Sequence, residues 1–308
     1  MFRFIINVIE QGSLYAILSI GVMISYRIVG IADLSVDGTY PLGAVVSAVV
    51  ILAGGSPWLA LVASLIAGAL AGCVTGLFHV KLKISSLLSG ILVMTGLYSI
   101  NLMIAGGRSN LSLLNETTLF DTTWLSMFEN TTFFPFIETM IIPFYRLIVM
   151  VLMVLIIKWL VDWLLNTKLG YLLKVTGDNE SLVVALGHDV GKVKIIALAL
   201  ANGLVALSGG VAASVGRYYD ISLGTGMVVM GLSSVMLGTL LLRKTRVKLT
   251  TMVIVGSIVY RLIVAVAIRM GMDPQYMKLI TVVIFVIAIV LNNASFSFSI
   301  NKKGEPHA

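Results

Sequence analysis

The sequence predicts an all-α, polytopic membrane helix bundle of about nine membrane segments, arranged as two inverted repeats with broken helices. Three observations predict it: the scarcity of charge, the spacing of long apolar runs, and a polar phrase that occurs twice. Of the 308 residues, 58% are apolar and 11% are charged, whereas a soluble globular domain carries roughly 25% charged residues. The mean hydropathy is +1.04. These values exclude a soluble two-domain enzyme, which the length alone allows, and they exclude disordered and fibrous chains.

A spanning helix needs about 20 mostly apolar residues. The runs 4–25, 58–79, 84–105, 142–165, 195–216, 249–269 and 277–293 are read as spans. Two shorter apolar segments, 38–53 and 225–242, follow polar, Gly-containing stretches. The first run carries one basic residue, Arg3, and is interrupted by Asn7, Glu10 and Gln11. No small-x-small site closes it, so it reads as a retained helix and not as a signal peptide. The whole chain, 1–308, is one transmembrane domain: a first repeat over 8–105, an extracytoplasmic loop over 106–141, a cytoplasmic segment over 166–194 and a second repeat over 195–293.

The 21 basic and 14 acidic residues leave a net charge of +7. In a membrane protein such an excess marks cytoplasmic loops and not nucleic acid. Lys81 and Lys83; Lys168, Lys174, Lys192 and Lys194; and Arg243, Lys244, Arg246 and Lys248 form three basic loops, with Lys302 and Lys303 in the tail. All four regions are placed in the cytoplasm, so the C-terminus is cytoplasmic and the N-terminus lies outside. The loop 106–141 holds Glu116, Asp121, Glu129 and Glu138 against Arg108, and is placed outside as a small ordered cap. Asn110, Asn115 and Asn130 fall there in N-x-S/T triplets, a pattern that chance also produces. Cys73 is the single cysteine, which excludes an intrachain disulfide. His79, His188 and His307 have no ligand spacing, so no metal site is read.

The repeated phrase is the most informative feature. Asp33-Leu34-Ser35-Val36 is followed by Asp37, Gly38, Thr39 and Gly43; Asp220-Ile221-Ser222-Leu223 is followed by Gly224, Thr225, Gly226 and Gly231. Each phrase follows a long span ending in an arginine, Arg27 or Arg217, and precedes a short apolar segment and two more spans. The loop charges put the first phrase inside and the second outside, which inverts the two halves, as in many transporters. Backbone at membrane depth leaves helical geometry only where it is buried or lines a wet cavity. Gly permits the break, and Ser, Thr or Asp caps the next helix. Asp33, Ser35, Asp37, Thr39, Asp220, Ser222 and Thr225 are therefore candidates for the edge of a translocation path. Plain capping of short helices accounts for the same residues, and the two readings are compatible.

Between the halves lies the longest polar cytoplasmic stretch, Leu169 to His188. Asp178 or Asn179 is placed to cap a short helix through 180–186, which Gly187 stops. Such a helix suits docking against another protein; a solvated loop is the bland alternative. Gly187-His188-Asp189-Val190-Gly191-Lys192 is one residue short of a phosphate-binding loop and lacks the Ser/Thr after the lysine. No HExxH, paired catalytic acids or nucleophile elbow occurs, so the chain is not read as an enzyme or as its own motor.

Gly12-Ser13-Leu14-Tyr15-Ala16-Ile17-Leu18-Ser19-Ile20-Gly21 and Ile31-Ala32-Asp33 through Gly43-Ala44 resemble the opening of branched-chain-amino-acid-type ABC importer permeases, worded G-x-x-Y-A-L-x-A-x-G and followed by a polar phrase. Leu169-Gly170 through Gly187, with Thr176-Gly177-Asp178-Asn179 and Ala185-Leu186-Gly187, resembles their cytoplasmic loop. The order of elements agrees from about residue 8 to residue 293. The Asp33–Asp37 phrase looks most like permeases assigned to tryptophan or tyrosine uptake. Where the family usually has Asn-Phe-Ala/Ser and a basic Gly-Arg, this chain has Asp33-Leu34-Ser35 and Gly170-Tyr171.

The resemblance implies a permease subunit of an importer for amino acids or similar small solutes in a bacterial cytoplasmic membrane. It implies a dimer, homodimeric here, that contacts membrane lipid and binds two cytoplasmic ABC ATPase subunits through Gly170, Asp178, Asn179, Glu180, Ala185, Leu186 and Gly187. An extracytoplasmic substrate-binding protein delivers the solute. ATP and Mg belong to the ATPase, and this chain binds no cofactor. The alternative is a secondary transporter with inverted repeats, driven by an ion gradient; Glu10 is the one moderate acidic candidate for coupling within a long span.

Overall fold

The computed structural model describes residues 2–121, 144–243, 245–273 and 276–301. Seven helices are long and apolar enough to cross a bilayer among the described residues, and two shorter apolar helices, Val36–Leu52 and Lys278–Val290, accompany them. Glu129, Asn130, Glu138, Lys244, Lys302 and Lys303, and with them part of the expected cap and the basic tail, lie outside the described residues.

Helix α1 (Phe2–Val22) continues into a π-helical turn, Met23–Ile28, and non-helical chain then leads to α2 (Val36–Leu52). Helices α3 (Pro57–Val80) and α4 (Ser86–Ile104) start on their own serines: the Ser56 hydroxyl accepts the Leu59 N–H and that of Ser85 the Leu88 N–H. Such caps satisfy donors that a helix start leaves free. Strand β1 (Asn110–Ser112) follows, then α5 (Tyr145–Leu165), α6 (Lys168–Asp178) and α7 (Glu180–Ala185). Helix α8 (Val190–Gly216) leads through strand β2 (Tyr218–Asp220) and a 3-10 turn, Ile221–Gly224, to α9 (Met227–Leu241). Helices α10 (Leu249–Arg269) and α11 (Met277–Asn301) complete the bundle.

Most spans fall within a few residues of the apolar runs. Helix α8 begins five residues before its run, because Asp189 caps it by accepting the Gly191 and Lys192 N–H groups. Helix α6 is an addition, since the sequence placed only the 180–186 helix in this segment. Its polar composition hides it, but Thr167 caps it and Gly170, Leu173 and Thr176 form one buried face.

Helices α1 and α8 cross antiparallel at the centre: Ser208 Oγ donates to the Leu14 carbonyl at 2.9 Å, and Gly21 packs on Ala201. Helix α3 runs antiparallel along α8, with Gly68, Gly72 and Gly76 stepping past Asn202, Leu198 and Ile195. Helix α10 lies along α1 in the same manner, Ser257 Oγ donating to the Gly12 carbonyl at 3.0 Å. Small residues let helix backbones approach closely where lipid supplies no hydrophobic drive between helices. Around this pair, α2 packs on α3 and α4, while α9 packs on α10 and α11.

Helices α2 and α9, which follow the two D-x-S phrases, run in opposite directions. Their first turns meet, and they then run apart. The far half of α2 packs with Leu111, Leu113 and Tyr219 at the end where β1 pairs antiparallel with β2, Leu111 opposite Tyr219. The far half of α9 meets the start of α10, Gly238 against Met252, where Thr250 Oγ1 donates to Asp162 at the end of α5.

Candidate functional site

The two D-x-S phrases fold alike. The Ser35 N–H donates to Asp33 Oδ1 at 2.8 Å, and the Ser222 N–H donates to Asp220 Oδ1 at 2.8 Å. This turn uses the short carboxylate to replace a lost backbone partner, as Asp side chains do in loops. It ends the chain's return from one long span and starts the approach to the next helix.

The first phrase is locked into the protein interior. Asp33, 4% exposed, accepts the Asn202 amide at Oδ2 at 2.6 Å, and Asn202 Oδ1 accepts the Ser35 hydroxyl at 3.2 Å. Thr39 is buried, donating to the Ser35 carbonyl. A buried carboxylate is tolerable where donors surround it, and α8 supplies the one that the turn lacks.

Asp37 joins the two repeats. Its Oδ2 accepts the Gly226 N–H at 2.9 Å and its Oδ1 the Val228 N–H at 2.8 Å, so a carboxylate on α2 caps α9. Helix α9 has no cap of its own: its N-cap is Gly226, at φ +87. The negative charge also complements the positive end of the helix dipole. Gly224 permits the approach, because a Cβ there would overlap the Asp37 carbonyl oxygen.

Beside this joint lies a cavity of about 570 Å³ between α2, α4 and the 3-10 turn. Asp37, Gly38 and Pro41 line one side, Ile221, Ser222 and Thr225 another. Helix α4 supplies Met94, Thr95, Tyr98, Ser99 and Asn101. The Asn101 amide donates to the Gly38 carbonyl at 3.2 Å. The volume lies within the ≈300–1,000 Å³ usual for small-molecule sites.

A second polar region occupies the end bearing α6 and α7. Asn179 caps α7 by accepting the Leu182 N–H at 3.3 Å, and Glu180 pairs with Lys194 of α8 at 2.6 Å. Gly187, at φ +78, closes α7, its N–H donating to the Val184 carbonyl at 2.9 Å. Val183 is fully buried and anchors the helix, while Val184 and Leu186 are 64% and 60% exposed. Helix α6 presses on the end of the π-helical turn that follows α1, where a Cβ at Gly177 would overlap the Ile28 carbonyl oxygen. Asp178 borders a separate cavity of about 540 Å³ with Arg27, Lys174 and Lys248. Asp162, paired with Lys158 at 2.9 Å and Lys248 at 3.3 Å, ties α5 to α10 beside it.

Residues 4–289 match the model of the permease component of branched-chain amino acid transport systems. The chain belongs to this permease family. It is 38% identical over 294 residues to the tyrosine transport system permease protein of Clostridioides difficile (strain R20291), covering 95% of this chain and 92% of that one. An uncharacterized protein of Rickettsia prowazekii (strain Madrid E) is 30% identical over 290 residues, 92% of this chain and 96% of the relative. The ribose import permease of Escherichia coli (strain K12) is 23% identical over 294 residues, 93% and 84% of the two chains. No solved structure matches the chain significantly. The permease is thus a multi-pass membrane subunit of a transport system.

Of the candidate path residues, Asp37, Ser222 and Thr225 line the joint cavity. Asp33, Ser35 and Thr39 are buried in helix packing, and Asp220 sits in the turn at the β2 end. Among the seven candidates of the α6–α7 region, Asp178, Asn179, Glu180, Ala185, Leu186 and Gly187 are exposed on that end, whereas Gly170 is buried against the last turn of α5. The sequence reading missed Asn202 and the α4 face. Thr95, Tyr98 and Ser99 are spaced at i, i+3 and i+4, a polar stripe in an apolar helix that periodicity could have exposed.

Proposed function

We propose that the permease is the membrane subunit of an ATP-driven ABC importer for amino acids or similar small solutes, with branched-chain or aromatic amino acids favoured. The observation that carries this reading is the joint of α2 and α9, where Asp37 couples two oppositely directed half-helices beside a solute-sized cavity. A rocking of one repeat against the other would open that joint alternately to the two membrane faces.

Lys174, Lys192, Lys194, Arg243 and Lys248 gather toward the α6–α7 end, which the positive-inside rule puts in the cytoplasm of a bacterial cell. The N-terminus is then outside and the C-terminus cytoplasmic. The exposed α6–α7 surface is the docking site for separate ABC ATPase subunits, which carry ATP and Mg. An extracytoplasmic binding protein delivers the solute at the β1–β2 end, and a second permease copy completes the transport unit within the lipid.

Reconstitution in liposomes tests the reading. Uptake of tyrosine, tryptophan or leucine is expected only with the ATPase, ATP and the binding protein present. Full uptake driven by a proton or sodium gradient without the ATPase would sink it and favour a secondary transporter. Gly187→Val places a β-branched residue at positive φ, which is strongly disfavoured. It is expected to lower ATPase co-purification while membrane insertion stays intact; unchanged co-purification counts against docking at α7.

A further inference from the structure

Two arginines of α10 border one cavity without an acidic partner. Arg261 and Arg269 line a space of about 270 Å³ between the start of α1 and the end of α10, together with Phe4, Asn7 and Gln11. The Arg261 guanidinium carbon lies 5.8 Å from the ring centre of Tyr15, and that of Arg269 lies 5.0 Å from the ring centre of Phe4. Aromatic faces offset part of a cation's cost, but the guanidinium's five N–H donors still call for acceptors. Neither arginine forms an ion pair or a hydrogen bond among the described residues, and no Asp or Glu lines the cavity. The one acid of α1, Glu10, feels the charge of Arg146 at the start of α5 instead.

Arg261 stands eight residues before the end of α10, about 12 Å deeper than Arg269 at 1.5 Å per residue. It therefore belongs to the spanning part of the helix. A charge at such depth is costly and faces a partner or a cavity. Below the cavity, the Ser257 hydroxyl on the Gly12 carbonyl closes α10 on α1. Beside it, Ile5 on α1 and Leu262 and Val266 on α10 are exposed apolar residues. The cavity is thus a polar, cationic crevice set into an apolar helix surface.

We propose that this crevice holds the phosphodiester headgroup of an anionic phospholipid from the leaflet at the β1–β2 end. A phosphodiester brings one negative charge and several accepting oxygens, and guanidinium groups bind phosphate through paired N–H donors. Asn7 and Gln11, four residues apart and so on one face of α1, add amide donors to the same crevice. The exposed Ile5, Leu262 and Val266 then meet the acyl chains, so only the headgroup needs to enter. A lipid of net negative charge is favoured over a zwitterionic one, because two cations line the crevice and no acid awaits a choline or ethanolamine group. The site is independent of which solute the permease carries and of what drives it.

The test titrates the full-length permease, purified in mild detergent, with phosphatidylglycerol, phosphatidylcholine or inorganic phosphate. Native mass spectrometry counts the lipid retained, and the rise in melting temperature over each series gives the affinity. One phosphatidylglycerol per chain is expected to stay bound at concentrations where phosphatidylcholine does not, with inorganic phosphate without effect. Arg261→Gln and Arg269→Gln are each expected to weaken phosphatidylglycerol about 10- to 100-fold, the range for hydrogen bonds to charged groups. Gln11→Glu, at an exposed position, supplies a carboxylate to the crevice and should weaken it likewise. Arg108→Gln removes an exposed arginine outside the crevice and should leave the affinity unchanged.

Equal retention of phosphatidylcholine, binding of inorganic phosphate as tight as that of the lipid, unchanged affinity in Arg261→Gln, or an equal loss in Arg108→Gln overturns the site. The wild-type comparison of the two lipids and phosphate decides the matter even where an arginine variant fails to fold.

Discussion

Asp33 and Asp220 open the same turn, bond the same serine position at the same distance, and have opposite surroundings. Asp33 is sealed in the bundle and held by Asn202 of α8; Asp220 lies half-exposed at the end of β2, with its own Ser222 hydroxyl as a further partner. The comparison teaches that the local phrase sets the backbone break, whereas the neighbouring helix sets how much the break matters. In the first repeat the turn is part of the core. In the second it is a surface turn that brings Gly224 and Gly226 to Asp37.

The largest contrast comes from removing the donor that only one turn has. Asn202→Leu leaves the buried Asp33 carboxylate short of a partner and is expected to cost about 3 kcal/mol or more. Thermal unfolding in detergent should show this as a large fall in melting temperature, and a fall no greater than that of a surface variant would break the comparison. The joint comes next. Gly224→Ala forces a methyl group against the Asp37 backbone and is expected to cost about 1–3 kcal/mol by overpacking. It should also raise hydrogen exchange at the start of α9, and full protection there would show that the joint yields without loss. The smallest effect belongs to the exposed turn. Asp220→Ala removes a cap and is expected to cost about 1 kcal/mol or less, while Asp33→Ala at the matching position costs clearly more; equal losses would show that burial does not separate the two turns.

Much of this was legible in the chain. Asp33-Leu34-Ser35 and Asp220-Ile221-Ser222 announced the turns, because Asx chemistry is local and needs no distant partner. Asn179 and Gly187 likewise marked the limits of α7 by capping chemistry. Helix α6 stayed hidden because a polar, amphipathic stretch gives little apolar signal beside the spans. Asn202 stayed hidden because an amide among the glycines and alanines of α8 resembles ordinary helix packing until Asp33 is placed against it. Asn101, Thr95 and Ser99 gain a role only when α4 is set along α2.

The sequence by itself determined membrane residence, the long apolar spans, the repeated phrase and its two turns. These follow from burial in lipid and from backbone hydrogen bonding, both of which act over a few turns of chain. Only the tertiary structure decided that Asp37 reaches 189 residues along the chain to cap α9, that Asn202 holds Asp33, and that α4 closes the cavity. Those pairings depend on which helix faces meet, and in a lipid-like setting small residues allow many such meetings. The few charges that the composition left over became informative once that choice was made.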